Sequence, residues 1–466
     1  MHLFPSSIYQ QRRQILRSKF DSGLLLFMGN EESPMNYKDN VYPFRQDSTF
    51  LYYFGIDLPG FCALIDLDED AEMIFGPQWT VDDIVWMGPQ ESLSALAQKV
   101  GVAHSMSPDK MAAKLVAASK AERHIHFLPP YRAENMMKLE KYLGIPTAQL
   151  GISASVPFIQ AVVEQRSIKQ AEELVELEKA LTITAAMHQA AMQKARPGQL
   201  EAELTGIVQG ISMGVDSRPA YPIILTINGQ TLHNHHHHNL LQSGQLVLGD
   251  FGGESTMHYA GDVTRTFPVD KAFSSTQRSI YQIVLDAQLA AVEALKPGIA
   301  YKDVHLLAAR KMAEGLRDLG ILKGDVTEAV HAGAHALFFP HGLGHMLGLD
   351  VHDMEDLGEN HVGYDENIQR SDQFGLAYLR LGRQLQQGFV LPVEPGLYFI
   401  PELIDQWQAA GKFQEFINYK ELENWRSFSG IRIEDNYVIT EKGARLIGPA
   451  IPKTIAEVEQ LRQSQG

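Results

Sequence analysis

Four acids and a group of histidines in the second half of the chain are of the right types to hold metal. Asp250 lies at the end of an apolar run, Leu246–Phe251 (LVLGDF), and Asp262 lies within Tyr259–Phe267 (YAGDVTRTF), 12 residues further on. That spacing suits a hairpin with a loop, which would bring both carboxylates to one end of a sheet. Period-2 alternation would set Asp262, Thr264 and Thr266 on one face. Taken singly, an Asp after a strand is commonly a turn or cap residue. The stretch Phe339–Asp353 (FPHGLGHMLGLDVHD) holds His341, His345 and His352 among Gly342, Gly344 and Gly348. The glycines disfavour a helix, and HGLGH lacks the glutamate of the helical HExxH zinc pattern. Three imidazoles so close together on irregular backbone are hard to explain as satisfied core groups. Val390–Tyr398 (VLPVEPGLY) delivers Glu394. Gly430–Ile439 (GIRIEDNYVI) sets Arg432 and Glu434 on one strand face, with Ile431 and Ile433 on the other.

A carboxylate among apolar neighbours costs several kcal/mol if buried unpaired. Four of them with one imidazole carry a formal charge of about −4, which two divalent cations would neutralise and one would not. Oxygen-rich coordination with one imidazole suits Mn²⁺, Zn²⁺ or Co²⁺ in a two-metal site. A hydroxide bridging two such cations is a nucleophile at neutral pH, and the natural reaction is hydrolysis of an amide or ester. The most conspicuous tract, Leu232–His238 (LHNHHHH), is a weaker candidate, since consecutive histidines cannot all face one site. His235–His238 read as an exposed loop. His233 differs, because it follows an apolar strand, Pro222–Thr226, and precedes Asp250.

The elements that must position these groups can be read from periodicity. In the first part, Gly23–Met28, Phe61–Leu67, Met73–Phe75 and His126–Leu128 read as buried strands separated by helical stretches such as Lys110–Lys120, an α/β signature with a parallel or mixed sheet. Its most distinctive residues are Trp86, Tyr52 and Tyr53, for which core packing is the plain explanation. A boundary falls near Gln160–Ile168. A long helix then runs from about Lys169 to Ala195 and stops at Arg196-Pro197-Gly198. A second, about Thr276–Leu295, stops at Lys296-Pro297-Gly298, and amphipathic helices follow each at Glu201–Gly210 and Tyr301–Gly315. Two helix–Pro-Gly–helix blocks about 100 residues apart suggest an internal duplication with a site between similar halves.

Composition narrows the alternatives. The 466 residues include 18 histidines but a single cysteine, Cys62. An internal disulfide, a cysteine-rich zinc module and an iron–sulfur cluster are thereby excluded. Forty basic against 56 acidic residues give a net charge of −16, which disfavours nucleic acid and anionic membranes as partners. The amino terminus lacks the apolar core of a secretory signal, and no stretch is apolar for long enough to span a bilayer. The cytoplasm is the expected compartment.

Asp250, Asp262, His345, Glu394 and Glu434, in these contexts, resemble the five metal ligands of the pita-bread metallopeptidases. HGLGHMLGLDVHD, VEPGLY and IRIEDNYVIT are similar to the proline-specific branch, aminopeptidase P and prolidase. FRQDSTFLYYFG (Phe44–Gly55) resembles the amino-terminal domain of aminopeptidase P. The resemblance implies two domains: an amino-terminal mixed-sheet α/β domain over 1–165, and a pseudo-symmetric pita-bread α+β catalytic domain over 166–466. It implies two divalent ions per subunit, Mn²⁺ first among them. Asp250 would chelate one, His345 and Glu394 the other, and Asp262 and Glu434 would bridge them. Glu394 would also shuttle a proton. His233, His341 and His352 would hold the scissile carbonyl and stabilise the tetrahedral intermediate. Arg432 would support Glu434, and Tyr398 and Trp86 would wall the proline ring or a neighbouring subunit's cleft.

Peptides with proline second are the implied substrates, and a homo-oligomer (dimer or tetramer) is the implied assembly. Arg380, in AYLRLGR, matches the arginine with which prolidases bind a dipeptide's free carboxylate, though a surface ion pair is the plain alternative. The amino-terminal domain favours the Xaa-Pro aminopeptidase, with prolidase as the alternative. A pita-bread fold used only for binding is the reading from another class, against which the complete ligand set speaks.

Overall fold

The computed structural model describes residues 2–464. The chain divides into two compact units, Met1–Arg166 with Met354–His361, and Ser167–Asp353 with Val362–Gly466. The first unit is built on a five-stranded sheet of β1 (Leu24–Met28), β2 (Cys62–Asp66), β3 (Ala71–Phe75), β4 (His104–Met106) and β5 (Ile125–Phe127), in the order β4-β3-β2-β1-β5. The sheet is mixed: β2 runs antiparallel to both β1 and β3, while β4 and β5 join parallel at the edges. LLLFM and CALID are buried on both faces, as expected of central strands covered by helices. Tyr52 and Tyr53 lie in the wholly buried helix Ser48–Phe54, so here the core-packing explanation holds.

The second unit carries the duplicated pattern. Helix Ala171–Lys194 is followed by Glu201–Met213, and helix Ser275–Ala294 by Tyr301–Asp318. Their turns match bond for bond. Gly198 donates its N–H to Leu241 and Leu241 donates to Gln199, both at 2.8 Å. Gly298 donates to Leu385 at 2.8 Å and Leu385 to Ile299 at 2.9 Å. Both glycines sit in the left-handed region, at φ +83° and +86°, where a side chain would be strained. Each half then supplies a small sheet. One orders β6 (Ile224–Thr226), β7 (Leu246–Asp250) and β8 (Thr264–Pro268); the other orders β13 (Ala444–Leu446), β12 (Asp435–Ile439) and β9 (Val390–Val393). β10 (Gly396–Tyr398) pairs with β11 (Gly430–Arg432).

Three runs that read as continuous strands are interrupted. VLPVEPGLY breaks at Glu394-Pro395 between β9 and β10, and GIRIEDNYVI breaks at Ile433-Glu434 between β11 and β12. The expected strand over Tyr259–Phe267 starts only at Thr264. The chain before it folds tightly on itself, and a Cβ on Gly252 would lie 1.9 Å from the Gly261 carbonyl oxygen. Asp250, Asp262, Glu394 and Glu434 therefore all lie at strand ends or breaks, where the backbone turns a side chain out of the sheet.

Behind Glu434, fully buried Arg265 donates to the carbonyls of Glu434 (2.6 Å) and Thr264 (3.0 Å) and pairs with Asp435. Burial would raise the Asp435 carboxyl, but Arg265 and Lys453 together hold it below its ordinary value. Arg265→Met leaves a buried acid short of its main partner. We expect a loss of about 3–5 kcal/mol, read as a lower denaturant midpoint by circular dichroism.

Candidate metal centre

The five expected ligands converge. The register of β7 sets Asp250 opposite Ile224 on one side and Thr264 on the other. Asp262 is carried beside it by the folded-back hairpin, pinned by its own N–H to Asn436 Oδ1 at 3.2 Å. His345 presents Nε2 3.3 Å from Asp262 Oδ2 and 3.9 Å from Glu394 Oε1. One ligand atom each from Asp262, His345 and Glu434 falls within 4.8 Å of the others. Gly344 lets the histidine loop lie flat against β9, since a Cβ there would come within 2.3 Å of the Pro392 carbonyl oxygen. Glu394 is fixed from the same direction, its N–H donating to Leu343 at 2.9 Å.

The acids differ in what surrounds them. Burial raises Asp262, but the hydrogen bond and charge of His345, with Tyr221 behind them, bring it below its ordinary value. Burial would likewise depress His345, yet Asp262 and then Glu394 raise it. Its Nδ1 donates to the Met346 carbonyl at 3.0 Å, which turns Nε2 toward the acids. Glu394 is pushed up to about 7 by burial and by Asp262 and Asp250, with His345 and Arg432 resisting. Glu434 is raised well above the carboxylate range, first by burial and then by the three other acids. Thr264 Oγ1 donates to Glu434 Oε2 at 2.7 Å, but Oε1 is buried with no hydrogen-bond donor. An orphaned carboxylate oxygen, among three more acids and an imidazole nitrogen turned toward them, is the donor set that a pair of divalent cations fits.

Arg432 donates to Asp250 Oδ2, to the Tyr398 hydroxyl at 2.7 Å and to Thr264 Oγ1 at 3.0 Å. Its direct carboxylate partner is thus Asp250, and it reaches Glu434 only through Thr264. Tyr398 differs from the expected wall. It is fully buried, and its hydroxyl bonds to Nε2 of His341 at 2.9 Å. The His341 Nδ1 donates to the Gly342 carbonyl at 2.7 Å, and burial followed by the Arg432 charge lowers this imidazole to about 3. His352 sets its ring 4.4 Å from that of His345, and the neighbouring Asp353 is held by Lys169 in a buried pair at 2.7 Å. His233 lies near enough to feel Asp250, Arg432 and Arg380. Its value is lowered by partial burial, against the pull of Asp250 and with the help of both arginines. Arg380 also helps to depress His341. Trp86 belongs to the other unit, 86% exposed on the short helix Val81–Met87.

Tyr221 was not legible from the sequence. Its hydroxyl lies 2.6 Å from Asp250 Oδ1 and 2.6 Å from Asp262 Oδ1, holding the two acids together. Burial and then these two charges raise the phenol well above its ordinary value, so it stays protonated. The signal available was its place three residues before Ile224, the residue that β6 sets opposite Asp250.

Residues 175–441 match the model of metallopeptidase family M24, and residues 9–126 match the aminopeptidase P N-terminal domain. The chain is 33% identical to the Xaa-Pro dipeptidase of Homo sapiens, over 94% of this chain and 88% of that one. It is 32% identical to a probable Xaa-Pro aminopeptidase of Sordaria macrospora, over 99% and 96%. A variant of Escherichia coli aminopeptidase P solved in complex with substrate superposes with a TM-score of 0.81 at 30% identity, covering 99% of both chains.

Two measurements follow. Tyr221→Phe removes the donor shared by Asp250 and Asp262, and metal affinity is expected to fall about 10- to 100-fold, read by competition with a chelating dye. The second concerns pH. Glu394 has a folded-state value near 7 against 4.5, so it favours folding at low pH, and that contribution is lost as pH rises through 7. Raised His345 acts in the same direction, whereas depressed Asp262 acts only below about pH 4. Metal-stripped protein should therefore lose stability, on the order of 3 kcal/mol, between pH 5 and 8, and saturating Mn²⁺ should remove that dependence. Thermal melting with and without chelator at both pH values checks it.

Proposed function

The chain belongs to metallopeptidase family M24, and on that premise we propose that it is an Xaa-Pro aminopeptidase, releasing the first residue of peptides whose second residue is proline. The observation that carries this reading is the convergence of Asp250, Asp262, His345, Glu394 and Glu434 in a fold that superposes end to end on aminopeptidase P. We assign 1–165 as the amino-terminal domain and 166–466 as the catalytic one. Asp250 would hold one divalent ion, His345 and Glu394 the other, and Asp262 and Glu434 both. Manganese is our choice of metal, in keeping with a ligand set of four carboxylates and one imidazole. Bound there, two such ions would make a water nucleophilic at neutral pH and polarise the scissile carbonyl.

The chain's own groups would do the rest. Glu394, beside the place where the attacking water would sit, would take its proton and hand it to the leaving proline nitrogen. His233 and His352 would orient the substrate carbonyl, while His341, kept neutral by burial and by Arg432 and tied at both nitrogens by Gly342 and Tyr398, would line the site beside them. Tyr398 and Arg432 would hold His341 and Asp250 in position. We further propose a homo-oligomer, supported by the exposed apolar side chains Val81, Val85 and Trp86 on one short helix. No helix among the described residues is long and apolar enough to cross a membrane. A cytoplasmic setting accords with the single, buried, free thiol of Cys62.

One observation favours a second reading. Arg380 lies where its charge acts on both His233 and His341, a position suited to the free carboxylate of a dipeptide. Ala-Pro-Ala and Ala-Pro, offered with Mn²⁺, distinguish the two. We expect the tripeptide to be cleaved at a similar rate by wild type and Arg380→Ala. Cleavage of Ala-Pro alone, lost in that variant, would establish the dipeptidase instead, and no cleavage of either would overturn both.

A further inference from the structure

The histidine run contributes nothing to the centre just described beyond His233, yet the fold holds it in a defined shape. The segment that carries it is fastened at both ends by one buried side chain. Glu201 accepts from the N–H of Ile227 at 2.8 Å through Oε1, and from Asn239 through Oε2, at 3.2 Å to the main chain and 2.9 Å to the side chain. Between these ties the chain turns over 229–233 and then runs without helix or turn over 234–239. Ala202 donates to the His237 carbonyl at 2.9 Å, and the His237 ring turns inward to the Leu225 carbonyl, its Nδ1 at 3.3 Å. The residues on either side of His237 face outward. His236 and His238 are both exposed, and their ring centroids stand 5.9 Å apart. The His236 N–H is held by Asn234 Oδ1 at 3.0 Å, which fixes the backbone beneath the pair.

Two imidazoles on adjacent positions of one ion, with metal–nitrogen distances of about 2.0–2.1 Å, hold their centroids about 4.5 Å apart in the square or tetragonal geometry of nickel and copper and about 5.2 Å apart in a tetrahedral one. The observed 5.9 Å is wider than either by roughly an ångström, which rotation of two exposed side chains can close. We propose that His236 and His238 form a second, surface metal site, separate from the carboxylate centre, that takes a nitrogen-seeking divalent transition ion. Solvent fills the remaining coordination positions. A set of two nitrogens and water follows the order Cu²⁺ above Ni²⁺ and Zn²⁺, with Mn²⁺ far below. The two sites thus select by opposite donor chemistry: oxygen-rich coordination suits Mn²⁺ in the interior, and paired imidazoles suit nickel or copper outside.

The test uses full-length protein saturated with Mn²⁺ and titrated with Ni²⁺ by calorimetry, with bound nickel and manganese counted after gel filtration. Wild type should bind one nickel beyond its manganese complement. His236→Ala and His238→Ala should each weaken that nickel about 100-fold, and the double variant should lose it while retaining manganese and peptidase activity. His235→Ala should bind nickel as wild type does. Equal nickel in wild type and the double variant would overturn the proposal. So would loss of nickel on His235→Ala, or filling of the same site by Mn²⁺ at equal affinity.

Discussion

Four carboxylates share a space from which water is largely excluded, and most of what surrounds them answers their mutual repulsion. Glu434 and Glu394 record it directly, since each is raised by burial and then by the other acids. The protein supplies part of the compensation itself. Arg432 lies against Asp250, Tyr221 donates to Asp250 and Asp262, and His345 faces Asp262. What it withholds matters as much: Glu434 Oε1 has no donor, and His345 Nε2 faces only acids. A site that satisfied every oxygen from within would have nothing left for a cation to bind.

The same constraint explains the breaks in the strands. A continuous strand through Glu394 or Glu434 would keep those acids at ladder spacing within one sheet. Interrupting the runs at Glu394-Pro395 and Ile433-Glu434 lets acids from two small sheets point into one volume. The backbone at these breaks then requires fixing from behind, which the buried Arg265–Asp435 pair and the Asn436–Asp262 bonds provide.

How much of this could be read beforehand depended on how local each signal was. The five convergent residues stand beside apolar runs and glycines that mark their strands and loops, and the two helix–Pro-Gly–helix blocks marked the duplication; all were legible. The strand breaks were not, because β-branched and apolar residues flank Glu394-Pro395 and Ile433-Glu434 on both sides, and only packing between sheets decides where the runs divide. Alternation set Arg432 on the face of Glu434, but its reach to Asp250 crosses from one half of the unit to the other. Tyr221 looks like an ordinary core aromatic in sequence, and only its hydroxyl partners separate it from Tyr52 and Tyr53; Tyr398 was expected as a wall for the proline ring, and its buried hydroxyl bonds were not legible.

The matched turns at Gly198 and Gly298 bear on ancestry. Each half of the catalytic unit ends its helical hairpin in the same bonds and then presents two acids, Asp250 and Asp262 from the first, Glu394 and Glu434 from the second. One half alone would offer two carboxylates facing open solvent, too few to enclose two ions. A single such unit could surround two ions only by pairing with a second copy of itself. With both on one chain each is free to differ: the second half carries His341, His345 and His352 among glycines, the first the run Leu232–His238.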